Sequence, residues 1–267
     1  MTFAIDTSAE VLGEAIGELA SQASDEHLAV LLSHVSKRDV LETSPAAVHS
    51  LLQALRGDRR WKAVSKVCAS LTISIVESLE REKKEMEKKR SLLGCLTCLI
   101  QKVGEDAFGS KELTLVMQCL CVEKDFEASQ EVLLAMLRHR PRALYSCFAV
   151  FAACHRTLLA VAMGDVGSSN VKFLRGMSRL YEEMVPHASA LRNHCVPILF
   201  DALTFIRKNG WPGLTKAELK PGIYFLLDVC GKHQLQHLFV TLPQACRSIM
   251  RALRKDAERD HKFYGYV

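Results

Sequence analysis

From residue 8 to residue 264 the chain repeats one pattern: an apolar stripe at spacings of three and four, a short breaker, then another stripe. Leu12, Ala15, Ile16 and Leu19 are followed by Leu28, Leu31, Leu32 and Val35, and these by Val48, Leu51, Leu52 and Leu55. Residues three and four apart share one face of a helix, so each stripe must be buried against a neighbour. No run of strict alternation is flanked by hairpin turn chemistry, which removes the sheet-based classes. What remains is an all-α chain. The preferred architecture is an irregular α-solenoid of stacked helix pairs, HEAT- or armadillo-like, with about ten to twelve helices. No residue signature recurs at a fixed period, so a true sequence repeat is not part of that expectation.

Helix starts are marked by capping chemistry. Thr7, Ser8, Ala9 and Glu10 fit a capping box, as do Thr215, Lys216, Ala217 and Glu218. Ser44 precedes Pro45, which suits the first helical position, and Ser110, Asp125 and Pro141 open further segments. Thr241, Leu242 and Pro243 introduce the final helix. Gly57, Gly104, Gly164, the pair Asn209 and Gly210, and Gly231 follow helical runs and suit a left-handed C-terminal position. The whole of 1–267 reads as a single helical domain, with 164–170 (GDVGSSN) as its candidate internal boundary. That linker is no phosphate loop, because no Gly-Lys-Ser/Thr follows it and no strand precedes it.

Composition agrees with a packed helical protein. Apolar residues make up 49% and charged residues 24%, while aromatics are only 7%, so Leu, Val, Ala, Met and Cys must fill the core. Among the ten cysteines, Cys68, Cys119, Cys147, Cys154, Cys230 and Cys246 lie on or beside stripes, where free cysteine acts as a small hydrophobe. Residues 1–10 lack the basic and apolar regions of a signal peptide, which points to a reducing compartment. The most apolar stretch, 143–163, carries His155 and Arg156 near its middle and reads as a buried helix of a folded core, not a membrane span.

Chemistry-bearing residues do not assemble into a catalytic or metal-binding pattern. Cys95 and Cys98 share a helix face, but Cys119 and Cys121 are two apart and point about 200° from each other, which disfavours one tetrahedral metal. His233 and His237 have the spacing of a helical metal pair, yet Gln234 stands where a zinc protease needs glutamate. His194 and Cys195 are adjacent and diverge by about 100° around a helix, without an evident orienting acid. The chain is therefore expected not to be an enzyme and to need no cofactor or metal.

Two charged regions remain. Residues 80–90 (EREKKEMEKKR) hold one apolar side chain, and their mixed signs suit a solvated extension of the helix through Trp61, Val64, Cys68, Leu71 and Ile75. A partner- or RNA-touching arm is the alternative. In the last helix, Arg247, Arg251, Arg254, Lys255, Arg259 and Lys262 occupy one broad side, with Ala245, Cys246, Ile249, Met250 and Leu253 on the other. A basic knot, Arg138, His139, Arg140, Pro141 and Arg142, falls in a helix–helix turn. The net charge of +5 and these groups allow contact with RNA phosphates; a solvated amphipathic helix is the plainer reading. With no RRM or KH signature, any RNA contact would read backbone and shape.

The C-terminal segment 220–267 carries a resemblance. Its points are the run Leu226, Leu227, Asp228, Val229, Cys230, the pair Leu235 and Leu238, the Leu242-Pro243 entry, and the closing Lys262, Phe263, Tyr264, Gly265. It resembles the C-terminal domain of the unhealthy-ribosome-biogenesis protein family, second member, whose proteins are nucleolar factors of large-subunit pre-rRNA processing. The resemblance implies a C-terminal part of a larger helical protein. It also implies a nucleolar scaffold in pre-60S particles, beside a second large helical scaffold and a DEAD-box helicase complex. No catalytic residue is implied, no small-molecule substrate, and no membrane; pre-rRNA itself is a further possible partner.

Overall fold

The computed structural model describes residues 22–55, 58–82, 85–104, 108–120, 125–162, 169–209 and 213–263, together with 11, 15 and 18. Among them every regular element is helical, so the fold class is all-α. The chain divides into two compact units, Met1–Cys147 and Phe148–Val267. The candidate boundary at 164–170 lies mostly outside the described residues.

The first unit contains α1 (Asp25–Val35), α2 (Arg38–Thr43), α3 (Pro45–Ala54), α4 (Asp58–Arg81), α5 (Met86–Lys102), α6 (Ser110–Leu120), α7 (Phe126–His139) and α8 (Pro141–Ser146). Its contacts follow a regular step: α2 packs on α4, α3 on α5, α4 on α6, α5 on α7 and α6 on α8, with α1 laid along α4. The stripes supply the core, with Trp61, Cys68, Leu71 and Ile75 of α4 and Leu93, Leu96 and Leu99 of α5 all buried. Capping holds in part. Asp125 accepts from the Ala128 amide at 3.1 Å, whereas Ser44 precedes α3 without a side-chain cap and leaves the start to Pro45. Lys102, at the end of α5, donates from Nζ to the carbonyls of Leu52 and Gln53, each at 2.7 Å, and closes the C-terminus of α3.

The second unit contains α9 (Phe148–Ala162), α10 (Ser169–Glu182), a 3-10 turn (Val185–His187), α11 (Ala188–Leu191), α12 (Val196–Asn209), α13 (Gly213–Val229), α14 (Lys232–Thr241) and α15 (Gln244–Phe263). Here α9 packs on α12, α10 on α13, and α15 on both α12 and α13. The α10–α13 pair is the most extensive contact, and small residues permit it. A Cβ on Gly222 would stand 2.6 Å from the Ser178 Cα, so glycine is the side chain this crossing accepts. His155 and Tyr181 are fully buried and share a hydrogen bond of 2.8 Å between imidazole Nε2 and the phenol hydroxyl.

Several expectations need correction. The described residues form fifteen α-helices, close to the expected ten to twelve, with short breaks splitting some of the apolar runs. The described part of the apolar stretch, 143–162, is divided between two helices, α8 and α9, interrupted at Cys147. No described helix is long and apolar enough to cross a membrane. Residues 80–90 are not one extension of α4: that helix ends at Arg81, and α5 starts again at Met86 after Glu85. Gly104 and Gly231 are not left-handed; Gly231 is extended, with φ of −66°, and precedes α14. The box at 215–218 does not start a helix, since α13 already begins at Gly213 and Glu218 turns to Arg175 instead. The Thr7 box, Gly57, Gly164 and Gly210 lie outside the described residues.

Candidate functional site

The helix α15 sorts its residues by side as the pattern requires. Cys246, Met250, Leu253 and Ala257 are buried, and Ile249 sits at the edge of that face. Ala245, expected on the apolar side, is exposed. The buried face rests on α12 and α13. Cys246 places its sulfur 4.0 Å from the Leu203 carbonyl of α12.

The basic side of α15 is two populations, not one. Arg247 is a structural group: its Nε donates to the Leu242 carbonyl at 2.7 Å and an Nη to the Val240 carbonyl at 3.0 Å, closing the end of α14. Arg251 lies over the Phe239 ring, 4.8 Å from its centroid, so it is exposed yet docked. Arg254, Lys255 and Arg259 are exposed and make no ion pair with a described residue. Asp256 of the same helix reaches Lys220 of α13 at 3.0 Å. Glu258 remains on the exposed side with the bases. The Lys262 side chain lies outside the described ones.

The knot at 138–142 belongs to the first unit, and its members separate. Arg138 and Arg142 are exposed, flanking the junction of α7 and α8. Arg140 is buried at 5% exposure, donates to the His139 carbonyl at 3.0 Å and lies in the electrostatic neighbourhood of Cys68. A buried guanidinium cannot meet a phosphate on the surface, so Arg140 leaves the candidate set. Local sequence could not show this, since its place is decided by the turn that tucks it inward.

The candidate chemical groups sit in surroundings that quiet them. Burial pushes the Cys68 thiol up to about 11 and Cys230 up to about 12, and raises Cys95 well above the ordinary thiol range. These thiols stay protonated, which disfavours nucleophilic and metal-binding roles alike. Among the described residues no three His, Cys, Asp or Glu side chains group as metal ligands, and Cys121 lies outside them. His194 and Cys195 diverge: His194 is exposed against the Phe148 ring, while Cys195 is buried, with burial and then nearby Cys230 raising its thiol. His233 and His237 both face solvent on α14.

The ion pairs that brace the units join residues far apart in sequence. Arg90 meets Asp125 at 2.8 Å, Arg156 meets both oxygens of Asp201 at 3.0 Å, and Arg175 meets Glu218 at 2.9 Å. Burial pushes the Asp201 carboxyl up while Arg156 pulls it back. Nothing in local spacing announced these partners, which are 35 to 45 residues apart.

Comparison with known proteins supplies one match. A model of the Urb2/Npa2 family matches residues 46–265, far beyond the C-terminal segment that carries the resemblance. No curated protein and no solved structure matches the chain.

Proposed function

Because this chain belongs to the Urb2/Npa2 family, a family of ribosome-biogenesis factors, we propose that it is a non-enzymatic helical scaffold domain acting in large-subunit pre-rRNA processing. The observation that carries the reading is the family match over both units, which takes in nearly every described helix. The family is not a known enzyme family, and the described thiols and histidines occupy packing or solvent positions. As the C-terminal domain of a family member, it holds other large-subunit assembly factors in pre-60S particles of the nucleolus. The partners are a second large helical scaffold and a DEAD-box helicase complex. Affinity purification from nuclear extract tests this. Enrichment of large-subunit assembly factors is expected, and recovery of cytosolic or membrane proteins alone overturns it.

A second reading, direct RNA binding through phosphate backbone and shape, draws on one specific feature: Arg254, Lys255 and Arg259 stand exposed together without a described acidic partner. Neutralising three phosphates gives a slope of log affinity against log salt of about −2 to −3. A filter-binding titration with structured RNA that shows no interaction at low salt removes this reading.

A further inference from the structure

The positive charge of the chain is unevenly placed. Phe148–Val267 holds 16 Lys and Arg against 9 Asp and Glu, whereas Met1–Cys147 holds 19 against 21. Within the second unit the imbalance is sharpest from residue 229 to residue 255, which covers α14 and the first half of α15 and contains no Asp or Glu. The acid before this stretch, Asp228, belongs to α13, and the acid after it, Asp256, pairs with Lys220 of α13 at 3.0 Å. An anion laid along α14 and the start of α15 therefore meets no carboxylate of those segments.

Flat groups stand among these cations. On α14, Lys232, Gln236 and Phe239 are four and three residues apart and share one side of the helix. Lys232 and Gln236 are exposed, and Phe239 is half-buried. Arg251 of α15 crosses to that side: it lies over the Phe239 ring, 4.8 Å from the centroid, and is itself exposed. The ring thus holds one side of the guanidinium while solvent meets the other. One turn further along α15, Arg254 and Lys255 are exposed and make no ion pair with a described residue. A guanidinium already docked on a ring has less side-chain freedom to lose when a second flat group is laid on it.

We propose that α14 and the start of α15 form a binding site for unpaired RNA, with a splayed-out base stacked on Arg251 over Phe239. Arg254 and Lys255 hold the phosphates on one side of that base, and Lys232 those on the other. The Gln236 amide, between them, has the donor and acceptor needed to meet a base edge. Phosphate contacts alone do not tell a paired strand from an unpaired one, whereas stacking on a side chain requires a base free of its own helix. An acidic peptide would satisfy the cations equally but has no ring to lay on Arg251. The proposal rests on the second, RNA-binding reading above and names the kind of RNA it takes.

The test is fluorescence anisotropy of the full chain at low salt, with a labelled single-stranded RNA of about ten nucleotides and with the same strand annealed to its complement. The single strand should bind at least about tenfold more tightly than the duplex. Arg251→Lys keeps the charge and removes the plane. It should weaken the single strand about tenfold, leave the duplex within about twofold and leave the circular dichroism unchanged. Arg254→Gln should weaken both RNAs alike and make the salt slope shallower by about one. If Arg251→Lys disturbs the fold, photocrosslinking of a thiouridine-containing strand to the parent chain decides instead, with crosslinks expected within 232–255. Equal binding of the two RNAs, full single-strand affinity in Arg251→Lys, or crosslinks confined to Met1–Cys147 overturns the proposal and leaves the phosphate reading standing. Binding of neither RNA overturns both. Displacement of the strand by polyglutamate as effectively as by unlabelled RNA would make this face an acidic-protein contact, and overturns the proposal too.

Discussion

In the first unit every helix from α2 to α6 meets the one two places further on, and α1 meets α4, whereas in the second unit steps of three (α9–α12, α10–α13, α12–α15) mix with steps of two (α11–α13, α12–α14, α13–α15). A step of two is the contact order of helices laid alternately in two layers, where each helix covers its predecessor's layer mate. A step of three needs the chain to leave a layer and return, and in the α9–α12 and α10–α13 steps the short α11 and the 3-10 turn before it lie in that detour. The two arrangements depend on different things. The regular step rests chiefly on apolar stripes such as those of α4 and α5, with one close approach, where a Cβ on Gly94 would stand 2.5 Å from the His49 ring. The irregular one depends on particular positions: the Gly222–Ser178 crossing, the buried His155–Tyr181 pair, and the face of α15 that covers α12 and α13.

The comparison breaks most visibly at α15. Leu253→Ala removes a buried side chain from the helix that covers two others, and should cost about 2–5 kcal/mol. Hydrogen exchange should show the loss in the second unit, with amides of α4 and α5 unaffected; uniform loss across both units would mean that the division does not govern stability.

Acid should separate the units next. Burial, aided by Arg156, holds the His155 imidazole down to about 3, so the folded state favours its neutral form. An unfolded histidine titrates near 6.5, so this stability is full above that pH and declines as pH falls toward 3. Between pH 7 and pH 5 the loss is about 2 kcal/mol. Denaturant melts across that range should show the slope, and His155→Gln should flatten it. The first unit has a weaker counterpart in His49, lowered by partial burial and by Lys102.

Glycine substitutions sharpen the contrast further. Gly222→Ala forces apart the α10–α13 crossing and should cost about 1–3 kcal/mol. Gly104→Ala meets nothing within 4 Å, and its midpoint should stay within about 0.5 kcal/mol of the parent. Equal effects would remove close approach as the reason for Gly222. The smallest change is expected on the basic side of α15. Arg254→Ala should stay within about 0.5 kcal/mol, and Arg251→Ala should add only the loss of its ring contact, about 0.5–1 kcal/mol. If Arg254→Ala unfolds the protein while Leu253→Ala does not, the faces of α15 are the reverse of those described.

Much of this molecule was legible in its stripes because burial and periodicity are local properties. Leu28, Leu32, Val48, Leu51, Leu52, Cys68, Leu71 and Ile75 are all buried where three-and-four spacing put them. The all-α class, the Asp125 cap, the Pro45 and Pro141 starts and the polarity of α15 follow from residues within one or two turns of each other. The candidate surface was legible only in part. Arg247 and Arg140 have the same charge and similar settings in sequence as Arg254, but one closes α14 and the other turns inward.

Tertiary structure alone decided which stripe meets which. Arg90 finds Asp125, Arg156 finds Asp201, and Arg38, Ser78 and Lys88 come to one cleft from three helices. The physical reason is that apolar burial is non-directional: a stripe demands cover but does not name its partner. Partner choice came from turn lengths, from where a glycine let two backbones approach, and from pairs of charges that neither helix could identify by itself.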